Sequence, residues 1–131
     1  CRMNIVFLDR RLVERLHDIQ IERFGGAAGL RDENAFESAL SRPVNKAHYG
    51  SEDIFELAAA YLYGLAKNHA FVDGNKRIAI VAAAVFLMDN GFEIATDDAT
   101  LYTFVLAVAA GEIDEEGAAR FLRDVSVPYP G

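Results

Sequence analysis

Residues 55–94 read FELAAAYLYGLAKNHAFVDGNKRIAIVAAAVFLMDNGFEI, and the periodicity on either side of the polar middle decides the fold. On the N-terminal side, Ile54, Leu57, Ala58, Tyr61 and Leu65 recur at the three-and-four spacing of a helix that buries one face. This helix is expected to start near Ser51 or Asp53 and run to about Asn68, with His69 continuing its stripe one turn on. On the C-terminal side, IAIVAAAVFLM (residues 78–88) has no polar face. At 11 residues the run is short of the roughly 20 needed to span a bilayer, so it reads as a helix enclosed by others, from about Asn75 to Asn90-Gly91. HAFVDGNKR, residues 69–77, is the junction.

Outward from this pair, the remaining segments also read as helices. Residues 9–24 begin at an Asp9 cap and end at Gly25-Gly26, with Leu12, Leu16, Ile19 and Arg23 on one face. GGAAGL (residues 25–30) joins no strand to a helix and reads as a turn, not a phosphate loop. Residues 32–41 form a helix expected to stop at Pro43, leaving 43–50 as an exposed loop. Residues 97–110 and 114–125 each open with acids, which suit a helix N-terminus. FEIA (residues 92–95) is a short extended connector, and Pro128 and Pro130 mark a frayed tail. The expectation is a single all-α domain over residues 3–127, six helices around a central buried one, with the junction loop at that helix's N-terminus.

The chain has 131 residues and a net charge of −7, which argues against a general nucleic-acid binder. Its single cysteine, Cys1, excludes an internal disulfide and thiolate zinc sites and suggests a reducing, cytoplasmic setting. Met3 is taken as the natural start, and no signal peptide or membrane segment is read.

The junction breaks a local rule. A helix N-terminus carries unpaired N–H groups and partial positive charge, so Lys76 and Arg77 there cost stability. Converging amides, helix dipole and two cations make a site for a multiply charged anion such as a polyphosphate. Gly74 lets the chain turn without crowding that anion. Histidine ordinarily titrates near 6.5, so His69 is suited to accept a hydroxyl proton. Asp73 is one carboxylate, which fits Mg²⁺ held chiefly by phosphate oxygens and water. Phe71 is expected to be buried and to hold the loop. Singly, each has a plainer reading: a core histidine, an Asp-Gly turn, an Asn75 cap, an arginine paired with a distant carboxylate. Their coincidence in nine residues favours a functional site. His17 and His48 lack such company and read as a helix-face and a loop residue.

HAFVDGNKR resembles the Fic/Doc motif H-x-F-x-(D/E)-(A/G)-N-(G/K)-R, and FGGAAGLRDENAFESALSRP and FELAAAYLYGLAKNHAFVDGNKRIAIVAAAVFLMDNGFEI resemble Doc-type toxins. The resemblance implies the compact helical Fic/Doc fold and transfer of a phosphate-containing group from a nucleotide to a protein hydroxyl. It implies His69 as general base, Asp73 as Mg²⁺ ligand, and Gly74, Asn75, Lys76 and Arg77 around the nucleotide phosphates, Arg77 also in catalysis. Lys76 stands where AMP-transferring Fic proteins carry glycine, which points to the Doc branch: phosphate transfer from ATP to elongation factor Tu, translation arrest, and a Phd-type antitoxin. Gly74, in contrast, is typical of the Fic branch, which keeps an AMP transferase as the alternative; a degenerate binding module is a third reading. The target is expected to pair, strand-like, along residues 43–50.

Overall fold

Four aspartates fix four helix starts in the computed structural model, which describes residues 4–130. Asp32 accepts from the Ala35 amide at 3.0 Å, Asp53 from Phe55 at 2.9 Å, Asp97 from Thr100 at 2.6 Å and Asp114 from Gly117 at 2.8 Å. They open α2 (Glu33–His48), α3 (Ile54–Lys67), α5 (Asp98–Ala109) and α6 (Glu115–Val125). The other two helices, α1 (Arg10–Phe24) and α4 (Asn75–Asp89), have no side-chain cap bond. Both also carry cations in the first turn, but Arg10 of α1 is taken up by Glu14, Glu33 and Glu37. Cys1 and Met3, and with them the single cysteine and the expected start of the domain, lie outside the described residues.

The fold is all-α, with α3 and α4 packed together at its centre. Of the two, α3 is the more enclosed: Leu57, Tyr61, Leu62 and Leu65 are fully buried between α4, α2, α6 and α5. Helix α4 buries Ile78, Ala82, Phe86 and Leu87, whereas Ile80, Val81 and Val85 are half-buried and Met88 is exposed. Its apolar far side therefore reaches a surface groove instead of another helix. No described helix is long and apolar enough to cross a membrane.

Three expectations are corrected. Helix α2 does not stop at Pro43 but continues to His48. Proline's fixed φ is compatible with a helix, and its cost falls on residue i−4, whose carbonyl loses its donor and is crowded by the ring. That residue is Ala39, whose backbone meets α3 so closely that a Cβ on Gly64 would lie 3.2 Å from the Ala39 Cα. Packing against α3 thus holds α2 together, and 43–48 offers no extended edge to a partner strand. Second, α1 turns Val13 and His17 inward and leaves Leu12 exposed, one residue off the expected face. The face that forms is the one that brings His17 onto Phe71. Third, the tail is not frayed: β1 (Phe92–Ile94) pairs antiparallel with β2 (Ser126–Pro128), and the Tyr129 amide donates to Gly91 O at 2.8 Å. Pro128 is tolerated because β2 is an edge strand.

One buried polar contact reports on the core. The Tyr61 hydroxyl accepts from the Leu8 amide at 2.9 Å, and burial pushes its pKa up from 10.0 to about 12. Ionisation is thus easier in the unfolded chain, so stability from this group is whole below pH 10 and is lost as pH rises toward 12. At 1.36 kcal/mol per pK unit, that loss is roughly 2–3 kcal/mol. Urea denaturation at pH 9, 10.5 and 12 should show a steeper alkaline decline in wild type than in Tyr61→Phe by about this amount.

Candidate functional site

Helix α3 ends at Lys67 with Asn68 as its cap, and His69 takes a left-handed conformation, φ 52°, the one non-glycine residue with positive φ among the described residues. The reversal carries its imidazole out of the core stripe and into solvent, contrary to the expected continuation. Such a conformation persists only where the surroundings hold it. Here Arg31 Nη1 donates to His69 O at 3.0 Å, and Arg31 and Asp32 amides donate to Ala70 O at 2.8 and 3.1 Å. Val72 N donates to Gly29 O at 3.0 Å, and Leu30 bridges Phe71. The GGAAGL turn is therefore the brace of the 69–72 segment.

Phe71 anchors the loop, as expected. It is 2% exposed, stacked on the His17 ring at 3.8 Å and edge-on to Phe36 at 5.1 Å. Asn75 secures its backbone from both ends: Oδ1 accepts from Phe71 N, and Nδ2 donates to Phe71 O, each at 3.0 Å. The Asn75 side chain is thus committed to the loop. What it presents to an anion is its backbone amide.

Gly74 caps α4 in the left-handed region, φ 78°, which a side chain would strain. A Cβ there would face α1, 3.3 Å from Ile21 Cδ1 and 3.4 Å from His17 Nε2. The glycine is required by the turn and by the approach of α1, not by clearance for an anion. Asp73 Oδ1 accepts from the Gly74 amide at 2.8 Å. Its other oxygen occupies the space that a Cβ on Gly26 would need, 2.6 Å away, so the second glycine of GGAAGL makes room for this carboxylate.

Beyond Gly74, the amides of Asn75, Lys76 and Arg77 have no hydrogen-bond acceptor among the described residues. Neither Lys76 nor Arg77 forms an ion pair there. Arg77 instead lies over the Phe24 ring at 3.9 Å and the Tyr102 ring at 5.4 Å. Stacking on the guanidinium face leaves its N–H edges available. These groups and His69 line one open cavity of about 380 Å³, with Gly25, Gly26 and Asp73 on its wall.

All six expected site residues thus share one cavity, while His48 sits apart at the end of α2. Phe24, Gly26, Tyr102 and His17 were not anticipated. Gly25-Gly26 was legible as a helix end, but nothing local shows that it meets residue 73. Asp73 belongs to no group of three or more potential metal ligands among the described residues. That donor set does not cage a metal by itself, but it fits Mg²⁺ brought in with phosphate oxygens.

The arrangement is that of a helical domain presenting a histidine beside the free amides and two cations of a helix N-terminus. The family model for the Fic/DOC family matches residues 7–87, and the chain belongs to that family, as a Doc-type member. It is 37% identical over 109 residues to Protein kinase doc of Escherichia phage P1, covering 82% of this chain and 86% of that protein. It is 44% identical over 77 residues to Toxin Doc of Mycolicibacterium smegmatis, covering 56% of this chain and 58% of that one.

The aromatic support of Arg77 is open to test. Phe24 is 53% exposed, so Phe24→Ala should leave the fold intact. Affinity for tripolyphosphate, by titration calorimetry, should fall about three- to fivefold, the worth of an exposed cation–π contact.

Proposed function

We propose that this chain is a Doc-type toxin acting as a protein kinase, with ATP as phosphate donor and a protein hydroxyl as acceptor. One observation carries the reading: a solvent-exposed His69 shares a cavity with the free amides of the α4 N-terminus and with two cations that form no ion pair among the described residues. Phosphoryl transfer asks for little else than positioning and charge neutralisation.

In this reading His69 takes the proton from the target hydroxyl. The hydroxyl oxygen bonds to the γ-phosphorus as the bond to the β–γ bridging oxygen breaks, and ADP leaves with that electron pair. Lys76, Arg77 and the amides of residues 75–77 offset charge on the phosphates. Mg²⁺, held through Asp73, would supply further neutralisation. Lys76 stands in the first turn of α4 and lines the cavity, which supports presentation of the γ-phosphate; Gly74, typical of the AMP-transferring branch, leaves AMP transfer as the second reading. The proposed target is a translation factor, elongation factor Tu, and the proposed controlling partner a Phd-type antitoxin, both in the cytoplasm. The name of the phage P1 relative supports the kinase, and that of the mycobacterial relative the toxin.

Incubation of elongation factor Tu with this protein and Mg-ATP should move γ-label, not α-label, onto the target. Transfer of α-label would favour the AMP transferase. In His69→Ala, transfer should fall at least about 100-fold, the usual range for a general base, with the circular-dichroism spectrum unchanged. Full transfer by a folded His69→Ala would remove the base role.

A further inference from the structure

His17 is the one buried polar or charged residue among the described residues, 1% exposed, and the transfer chemistry does not use it. It reaches the loop from α1 and is not among the residues that line the cavity. Its Nε2 lies 2.7 Å from the Asp73 carbonyl oxygen, and its ring stacks on Phe71 at 3.8 Å with the planes 16° apart. A carbonyl only accepts, so Nε2 must carry the proton.

We infer that His17 is a positioning residue, which sets the Asp73–Gly74 peptide and through it the Asp73 carboxylate and the start of α4. In a trans peptide the C=O and the following N–H point in opposite directions. By holding the Asp73 carbonyl toward α1, His17 aims the Gly74 amide the other way, and there Asp73 Oδ1 accepts it at 2.8 Å. Gly74 is left-handed and has no side chain, so its peptide resists rotation weakly by itself. A rotated peptide would release the carboxylate from its amide and turn a carbonyl dipole toward the anion. The hydrogen bond selects the productive orientation, and the stack on Phe71 keeps the imidazole in register for it.

The inference deepens the proposed transfer at the same site, and two variants separate positioning from packing. His17→Phe keeps an aromatic ring against Phe71 and loses the donor. His17→Gln loses the ring and keeps an N–H within similar reach. If the hydrogen bond positions Asp73, His17→Phe should lower kcat for γ-phosphate transfer about tenfold, with KM for ATP within about twofold, and His17→Gln should lose less, about threefold. A packing role predicts the reverse order, and that order overturns the inference. Nitrogen-15 NMR of the unmutated protein without nucleotide supplies a reading independent of activity and of variant folding. Protonated Nε2 in that spectrum is expected; in the variants, separately, the Gly74 amide shift should move in His17→Phe and return toward wild type in His17→Gln. An unprotonated Nε2 overturns the inference. Absence of transfer in wild type would defeat the kinase reading alone, and the NMR result would then decide the role of His17.

Discussion

The site rests on the immobilisation of Phe71. Its ring is stacked by His17 and met edge-on by Phe36, while its backbone N–H and C=O are both taken by the amide of Asn75. These contacts bring α1 and α2 to a loop that belongs to neither. Because Asn75 is also the first residue of α4, fixing Phe71 fixes the origin of that helix. The free amides and the two cations inherit their direction from it. Aromatic and hydrogen-bond contacts to a single residue thus convert the packing of three helices into the orientation of one helix N-terminus.

Most of the helical architecture was legible because it is written in local signals. The Asp53, Asp97 and Asp114 caps and the Ile54–Leu65 stripe need no knowledge of the rest of the chain. What failed was what depends on distant residues. Pro43 reads as a stop only until Ala39 is seen against Gly64. The tail reads as frayed only until β1 is there to pair with it. The apolar residues of α1 are not confined to one face, since Leu12 is exposed and Val13 buried, and the face that forms is the one placing His17 on Phe71.

The candidate site follows the same division. The six residues from His69 to Arg77 lie in one short stretch, and their unusual placement of charge announced them. The supporting wall comes from α1, the GGAAGL turn and Tyr102 of α5, none near in sequence. Gly26 carries no chemistry of its own; its part is to leave space for Asp73, which only the folded approach reveals. His17 looked like any histidine on a helix until its ring was found sealed from water.

The two unpaired cations sit on a chain with a net charge of −7. An approaching polyanion therefore meets repulsion from the body of the molecule, and attraction only within about a Debye length, roughly 8 Å at physiological ionic strength, of the cleft. A compact triphosphate fits inside that small basin. A long polymer, whose phosphates spread across the acidic surface, gains from a few charges and loses from the rest. Under the proposed function these electrostatics would select by size, with added salt relaxing the outer barrier while weakening the inner grip.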